Sequence, residues 1–364
     1  FIIFNFFYFN NFFSEKNEPI FSDEIFFTDQ EIDNILSKNN NKNIYYLVLD
    51  SANSFESFQK KNEDINIDQQ ILLINKSNFK YIENVKASYK KTNLSILNIL
   101  NLNYFMNYND PKFDYNLRFP NIMKFFSQST LGKTLKNMDY NFYWLGHSTL
   151  NCFDFNDNIC FKGINFINYI FLSLTTDIPT RNLIYNLFAK SALIDFLNKY
   201  NFSRYSKKLF YKTNDSINLF INNSKSLKNK NKNYFILIQA DYRDYDLKNN
   251  RLVFKSDCSL KKTDKVIYKH LSKESYKCML KRVSDFIEFI NKFDKNSIVI
   301  IQSDHAVKLF KENSYDYNIL TLVKTPKICD KFLTNQIDNI NAVRLMLSCA
   351  TDQSVNLLEK KTFY

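Results

Sequence analysis

Glycine and proline are scarce in this chain, which has three glycines and five prolines among 364 residues. Its turns therefore depend on Asn, Asp and Ser, whose short polar side chains tolerate left-handed backbone and form turn-like hydrogen bonds. The six cysteines show neither a CxxC pair nor zinc-finger spacing, so the sequence has no cysteine-based metal motif. Cys152 and Cys160 are spaced to close a short disulfide in an oxidising compartment. Buried free thiols are nevertheless the simpler expectation for the cysteines.

Acidic residues are also in deficit, because 49 Lys and Arg residues outnumber 37 Asp and Glu residues and leave a net charge of +12. This charge attracts lipid headgroups, nucleic acid or phosphorylated substrates, although a Lys-rich solvated surface gives the same count. The densest basic run, KSLKNKNKN (225–233), has no aromatic residue that would stack on bases. A cytoplasmic nucleic-acid-binding protein is thus the least favoured hypothesis, and we expect no nucleic-acid partner.

The first residues, FIIFNFFYFNNFF (1–13), are apolar and aromatic and carry no charge. A membrane-spanning helix needs about 20 apolar residues. We therefore interpret residues 1–13 as the end of a membrane helix or anchor, with a mature terminus or a signal-sequence remnant as the alternative. Residues 14–42 are rich in Ser, Glu, Asp, Lys and Asn and are predicted to form a tether. The folded part of the chain is then residues 43–364.

Apolar runs alternate with helical patterns along the rest of the chain. Strands are predicted at 43–50, 70–75, 141–146, 233–240 and 297–303, and helices at 92–105, 129–138, 182–200 and 272–293, the last with Ser272 as its cap. Strands that are apolar throughout and separated by helices are typical of a parallel sheet with both faces covered. The sequence therefore predicts an α/β fold with a doubly wound, mainly parallel sheet and helices on both faces.

Side chains that carry chemistry follow two of these strands. Asp50 ends the first strand, and Asp304 and His305 follow the last one. Ligands bind beyond the carboxyl ends of the strands in such sheets, so we expect the three residues to meet at one edge. Two carboxylates and an imidazole suit a divalent cation, which activates a hydroxyl and stabilises a transferring phosphoryl or sulfuryl group. A helix cap or turn for Asp50 and a structural role for His305 are the alternatives.

Five stretches occur in an order that resembles the sulfatase-like branch of the alkaline phosphatase superfamily. They are NIYYLVLDS, ASYKKTNLSILNILNL, KNYFILIQADYRDYDLKNNRLVF, SIVIIQSDHA and INAVRLMLSCATDQSVNLLEKKTFY. That branch includes sulfatases, lipoteichoic acid synthases and phosphoethanolamine transferases, and the chain is most similar to membrane-anchored bacterial members of envelope metabolism. The resemblance covers residues 43–364. It implies an alkaline phosphatase-like three-layer sandwich that forms a sulfatase-like catalytic domain.

The resemblance also implies roles for four residues. Asp50 corresponds to the first acidic metal ligand, Thr92 to the nucleophile at a helix N-terminus, and Asp304 and His305 to paired metal ligands. A threonine hydroxyl is a poor nucleophile until a cation helps to remove its proton, and the helix N-terminus adds positive partial charge. Thr92, itself counted among the ligands, would attack phosphorus or sulfur in line. Water or an acceptor would then take the group. A simple helix cap is the alternative for Thr92.

The chain departs from the family pattern on the substrate side. The family has a substrate-contacting histidine after the strand that matches 233–240, whereas Ala240 stands there in this chain. Asp241, Asp244 or Arg243 is expected to serve instead. His147, which follows another predicted strand, is a further substrate-binding candidate. The family's glycines after the first acid and after the SDH motif are replaced by Ser51 and Ala306. Both replacements are expected to constrict the backbone near the site.

The sequence thus predicts a metal-dependent hydrolase or transferase of phosphate or sulfate esters at the cell envelope. Its expected substrate is an ester on a lipid or glycan, and its expected cofactor is one divalent ion, Zn, Mn, Mg or Ca. We expect a membrane-anchored protein with its catalytic domain on the extracytoplasmic side. The chain has no Cys-x-Pro-x-Arg motif, which argues against a formylglycine-type sulfatase. The alternative is a degenerate, non-catalytic member that binds an anionic envelope polymer or lipid headgroup.

Overall fold

The helices and strands are seen in a computed structural model, which describes residues 26–38, 42–60, 71, 74–90, 92–104, 129–145, 217, 220–221, 224, 233–240, 243–246, 251–254, 268–306 and 317–363. Within these residues the helices are α1 (Asp29–Ser37), α2 (Phe55–Gln59), α3 (Thr92–Asn101), α4 (Thr130–Asn137), α5 (Tyr268–Phe293) and α6 (Asn339–Thr351), with a 3₁₀ helix at Lys327–Phe332. The strands are β1 (Ile44–Leu49), β2 (Lys80–Tyr81), β3 (Asn141–Leu145), β4 (Tyr234–Ala240), β5 (Arg243–Asp246), β6 (Arg251–Phe254), β7 (Ile298–Ser303) and β8 (Thr321–Lys324).

Six of these strands form one mixed sheet in the order β2-β8-β7-β1-β4-β3. The strands β3, β4, β1 and β7 are parallel, and β8 and β2 are added antiparallel at one edge. Strand β1 lies between β4 and β7, with Leu49 in register with Ala240 on one side and with Ser303 on the other. Strands β5 and β6 pair antiparallel in a separate two-stranded sheet.

Both faces of the sheet are covered, because alternate residues of each fully buried strand point to opposite sides. Tyr46 and Val48 of β1 pack into one core cluster, which contains buried residues of α1, α3, α4 and α6. Tyr45 and Leu47 pack into a second cluster with residues of α2 and α5. The predicted α/β fold, a mainly parallel sheet with helices on both faces, is confirmed.

Three predicted elements differ from the structure. The run QILLIN (70–75) is not a strand, because Ile71 and Ile74 are helical and both pack against the core. Apolar residues three apart lie on one face of a helix, so this short run satisfied the helical period as well. Helix α5 begins at Tyr268, which places Ser272 inside the helix and not at its cap. No strand is predicted after 297–303, whereas β8 follows β7 in the structure. The helix predicted at 182–200 lies outside the described residues.

The described part of the stretch predicted as a tether is folded. Thr28 caps α1 in a capping box, in which its hydroxyl accepts the backbone N–H of Glu31 and the Glu31 carboxylate accepts the backbone N–H of Thr28. Phe26, Phe27 and Ile35 are buried in the first core cluster. In the part of the chain that the structure describes, no helix is long and apolar enough to cross a bilayer. Residues 1–13, predicted to end a membrane helix, lie outside that part.

A disulfide joins Cys329 of the 3₁₀ helix to Cys349 of α6, and Cys278 is also disulfide-bonded. The expectation of buried free thiols is therefore wrong for these three cysteines. No local pattern predicts the Cys329–Cys349 pairing, because the partners lie 20 residues apart and become neighbours only when the 3₁₀ helix packs beside α6. Cys152 and Cys160 lie outside the described residues.

Replacing Cys349 by serine is expected to lower the free energy of unfolding by about 3 kcal/mol, because a cross-link over a 20-residue separation restricts the unfolded chain. Urea unfolding of the wild type and of Cys349→Ser, followed by circular dichroism, measures the difference. The matched variant Cys329→Ser should lose the same amount, and the double variant should lose no more than either single variant. Additive losses in the double variant would show that the two cysteines act independently.

Candidate metal centre

The carboxyl ends of β1 and β7 bring three potential metal ligands together. The strands are adjacent, parallel and in register at Leu49 and Ser303, so Asp50 and Asp304 leave the sheet side by side. Ligand atoms of Asp50, Asp304 and His305 all lie within 4.8 Å of one another. Nε2 of His305 is 3.5 Å from Oδ1 of Asp50 and 3.8 Å from Oδ2 of Asp304. Two carboxylates and one imidazole form a donor set that suits several divalent cations.

The Asp304 carboxylate has one oxygen that accepts hydrogen bonds from the protein and one that accepts none from the described residues. Oδ1 accepts the backbone N–H groups of Ser51 at 2.9 Å and of His305 at 2.7 Å. Oδ2 is buried and accepts no hydrogen bond from the described residues. Burial raises the pKa of Asp304 and the charge of Asp50 raises it further, whereas His305 acts in the opposite direction. A buried, unpartnered carboxylate oxygen beside two other ligand atoms fits a bound cation.

The His305 ring is held in the tautomer that a metal ligand requires. Its Nδ1 lies 3.0 Å from the backbone carbonyl oxygen of Ala306, which can only accept a hydrogen bond. Nδ1 therefore carries a proton, and Nε2, 3.5 Å from Oδ1 of Asp50, is the ring nitrogen that faces the other ligands. A second hydrogen bond of this kind orients ligating histidines in metal sites.

Thr92 is the first residue of α3, and its hydroxyl lies within this cluster. Its Oγ1 donates to Oδ1 of Asp50 at 3.1 Å and lies 3.1 Å from Nε2 of His305. Three residues later, the hydroxyl of Ser95 donates to the backbone carbonyl of Asp304 at 2.9 Å. This bond ties the first turn of α3 to the segment after β7 and fixes the Thr92 hydroxyl beside the carboxylates. The four residues predicted to form the centre are thus brought together.

Ser51 adds a second hydroxyl that sequence reasoning missed. Its Oγ donates to Oδ1 of Asp50 at 2.8 Å and lies 3.3 Å from Nε2 of His305. Its backbone has a φ of 62°, in the left-handed region, and this conformation directs its N–H to Asp304. The left-handed conformation is also the physical reason for a glycine at this position in similar sequences. The glycine in the family pattern drew attention to this position. It indicated a constraint on the backbone, however, and did not indicate that the Ser51 hydroxyl would lie at the site.

Replacing Ser51 by glycine is expected to yield a protein about 1 kcal/mol more stable than the Ser51→Ala variant. Both variants lose the same hydroxyl, whereas only alanine keeps a Cβ, which is unfavourable at positive φ. Thermal unfolding of the two variants measures the difference. Equal stability would mean that the backbone at residue 51 has relaxed out of the left-handed region.

The predicted substrate-binding residues are only partly covered by the structure. Asp241 and His147 lie outside the described residues, and Arg243 begins β5, where the structure describes the backbone but not the side chain. Ala240 ends β4, and its carbonyl accepts the backbone N–H of Asp50 at 2.9 Å. The position expected to hold a histidine is therefore at the correct edge of the sheet but has no polar side chain.

Gln239 is a buried amide that sequence reasoning overlooked. Its side chain is 2% exposed, and its Oε1 accepts no hydrogen bond from the described residues. Strand alternation places it on the face of Phe235 and Leu237, which is also the face of Val48 and so of Asp50. The available signal was a single polar residue in an otherwise apolar strand. Because buried amides nearly always have a hydrogen-bond partner, such a residue indicates a polar interaction at that position.

No protein-family model matches this chain, and no curated protein matches it in sequence. Solved structures do match it. The C-terminal periplasmic domain of EcEptC from Escherichia coli, in complex with Zn, has a TM-score of 0.50 and 11% identity, covering 95% of this chain and 91% of that chain. The soluble domain of lipooligosaccharide phosphoethanolamine transferase A from Neisseria meningitidis has a TM-score of 0.47 and 11% identity, with coverages of 87% and 89%. A protein in the alkaline phosphatase superfamily from Vibrio parahaemolyticus has a TM-score of 0.47 and 12% identity, with coverages of 92% and 78%.

The similarity to EcEptC extends over nearly the whole of both chains and concerns the fold. It agrees with the six-stranded mixed sheet and its two helical layers. The resemblance predicted from the five sequence stretches is thereby confirmed at the level of the fold, which this chain shares with the periplasmic domain of EcEptC.

Proposed function

We propose that this protein is a metal-dependent hydrolase or transferase of phosphate or sulfate esters, with Thr92 as its nucleophile. One observation carries the proposal: the Thr92 hydroxyl lies 3.1 Å from both Asp50 and His305 within a buried cluster of metal-type ligands. Nucleophilic hydroxyls need a partner that withdraws their proton, and a helix cap alone needs no such cluster. The position of Thr92 at the start of α3 also adds favourable partial charge for an anionic substrate.

Asp50, Asp304 and His305 would hold the metal. A divalent cation bound there lowers the pKa of a nearby hydroxyl and stabilises negative charge on the ester oxygens. The Zn complex of EcEptC favours zinc among the candidate metals, beside manganese, magnesium and calcium. The donor set itself tolerates all four, so metal content has to be measured.

The chain's own residues then divide the reaction into two steps. Thr92 forms a bond from Oγ1 to phosphorus or sulfur as the bond to the leaving alcohol breaks, and its proton is accepted by Asp50, its hydrogen-bond partner. Ser51 donates its hydroxyl to Asp50 and so holds that carboxylate in place during this step. In the second step water, or an acceptor hydroxyl or amine, takes the group from Thr92. The choice of acceptor decides between hydrolysis and transfer.

We further propose that the protein acts outside the cytoplasm, on esters carried by a lipid or glycan. The disulfide between Cys329 and Cys349 supports an oxidising compartment. The similar domain of EcEptC is a periplasmic one, which agrees with this location. Membrane attachment through residues 1–13 and a catalytic domain of residues 43–364 remain part of the proposal.

A non-catalytic protein of the same fold is the second candidate function. It is favoured by Ala240, which puts a methyl group where similar sequences have a substrate-contacting histidine. Such a protein would bind an anionic envelope polymer or lipid headgroup without turning it over. Metal-free protein that retains this binding and shows no turnover with any of the four metals would support the second candidate.

Mass spectrometry of the reacting protein tests the first candidate directly. The purified chain is incubated with bis-p-nitrophenyl phosphate or p-nitrophenyl sulfate in the presence of Zn, Mn, Mg or Ca and quenched in acid. We expect release of nitrophenol and, on the peptide that contains Thr92, a p-nitrophenyl phosphoryl group from the diester or a sulfuryl group from the sulfate ester. A modified residue elsewhere, with Thr92 unmodified, would contradict the assignment of the nucleophile.

A further inference from the structure

A basic cavity lies at the end of the sheet opposite the candidate metal centre. It has a volume of about 580 Å³ and is lined by Lys42, Asp352 and the segments 295–297 and 324–326. Lys42 precedes β1, residues 295–297 precede β7 and Lys324 ends the antiparallel strand β8, so the cavity lies at the amino-terminal edge of the parallel strands. The metal centre lies beyond the carboxyl ends of the same strands. Six residues of β1 separate the two sites by about 20 Å.

The cavity concentrates positive charge that the protein does not neutralise. Lys42, Lys295 and Lys324 line it, and Asp352 is the one acidic residue among its lining residues. Three positive charges against one negative charge leave +2. Among the described residues, no carboxylate lies within ion-pair distance of these three lysines. An ammonium group that has lost water without gaining a carboxylate favours an anionic ligand.

Lys324 shows this most clearly. It is half-buried, and its Nζ donates to the neutral side chain of Asn291 at 3.3 Å. Burial lowers the pKa of Lys324, and the charge of Asp294 opposes that effect. The Asp294 carboxylate accepts hydrogen bonds from Asn43 and Tyr45 instead. Among the described residues, no carboxylate therefore forms an ion pair with Lys324.

The hydroxyl of Thr325 provides an independent sign of a ligand. Thr325 lines the cavity, and its Oγ1 is buried without a hydrogen-bond partner among the described residues. Buried hydroxyls are nearly always hydrogen-bonded, because an unpaired one loses its bonds to water. A ligand oxygen that accepts from Thr325 would satisfy it.

We propose that this cavity binds a phosphate group at a site separate from the metal centre. Lysine ammonium groups bind phosphate as point charges, and a phosphate monoester has a charge close to −2 at neutral pH, which balances the lining residues. The volume suits a small phosphate compound or a phospholipid headgroup, both of which present the same phosphate chemistry. The proposal does not depend on Thr92 or on catalytic activity.

Isothermal titration calorimetry with inorganic phosphate tests this site. The full chain is first treated with a chelator, so that a metal-bound phosphate at the other end of the sheet does not contribute. We expect saturable binding by the wild type, weakened about tenfold in Lys324→Gln and in Lys295→Gln, because each removes a charged donor. Thr325→Val should weaken binding by a similar or smaller factor. Unchanged affinity in both lysine variants would overturn the proposal, and so would a wild type that binds neither inorganic phosphate nor the phosphatidic acid vesicles described below.

Lys281→Gln is the matched control, because Lys281 is an exposed lysine that pairs with Asp285 on α5 and does not line the cavity. Its affinity for phosphate should equal that of the wild type. Thermal unfolding of every variant verifies folding.

Vesicles of phosphatidic acid and of phosphatidylcholine then distinguish the source of the phosphate. Lysine-dependent binding to phosphatidic acid alone identifies a lipid headgroup, whereas lysine-dependent binding of free phosphate identifies a soluble ligand. Phosphatidic acid binding that Lys324→Gln and Lys281→Gln reduce equally would reflect net charge and would contradict the site.

Discussion

Replacing Thr92 by alanine is expected to lower kcat/KM for a chromogenic phosphodiester or sulfate ester by about 10³-fold or more. Removing the attacking atom of a covalent mechanism eliminates the first step, and the remaining centre can only orient water. The expected loss is large because Thr92 begins α3 and its hydroxyl contacts both Asp50 and His305, a combination that no other described residue has. Steady-state rates at saturating metal measure it.

Two variants make this result specific. Thr92→Ser keeps the hydroxyl and should retain measurable turnover together with the covalent intermediate. Ser95→Ala removes a hydroxyl one turn later that bonds to the Asp304 backbone, so it should lower the rate by much less than Thr92→Ala. Metal content at saturating metal should persist in Thr92→Ala, since Asp50, Asp304 and His305 remain. Wild-type turnover in Thr92→Ala would remove Thr92 from the mechanism.

The candidate centre was predictable because its residues interrupt a strong local pattern. Strands β1 and β7 are apolar almost to their ends, and a charged residue buried at that point needs a hydrogen-bond partner, an opposite charge or a cation. Parallel strands present these ends at one edge, so Asp50 and Asp304 were expected to converge although about 250 residues separate them. Thr92 needed more than this pattern, because a threonine that begins a helix is equally consistent with a cap. Its assignment came from the resemblance.

The features that were missed depend on tertiary packing and not on local pattern. The left-handed backbone of Ser51 is fixed by the bond from its N–H to Asp304, which lies 253 residues away in the sequence. The partners of the Cys329–Cys349 disulfide likewise meet only in the folded chain. The prediction for 70–75 was wrong for another reason, because a run of six residues with four apolar ones is too short to separate a period of 2 from a period of 3.6. Such errors concern single residues and short segments, whereas the layered fold follows from long, repeated patterns.

Replacing Asp304 by asparagine is expected to abolish the stabilisation that the metal gives while leaving the metal-free protein at least as stable as the wild type. In the metal-free state the Asp304 carboxylate is fully buried with one unsatisfied oxygen, so its charge costs free energy. Asparagine has no charge and still accepts the N–H groups of Ser51 and His305 through its carbonyl oxygen. It is a poor ligand for a divalent cation, so the gain on metal addition should disappear.

Thermal unfolding with and without zinc measures both halves of this prediction. A ligand at 100 times its Kd stabilises the folded state by about 2.7 kcal/mol. The wild type should show a gain of this order, and Asp304→Asn should show almost none. The control Asp330→Asn, in the 3₁₀ helix and paired with Lys80, should respond to zinc as the wild type does. Metal analysis after dialysis should find one ion per chain in the wild type and in Asp330→Asn. Equal zinc stabilisation in Asp304→Asn would place the ion elsewhere in the protein, because the buried oxygen of Asp304 would then contribute nothing to its binding.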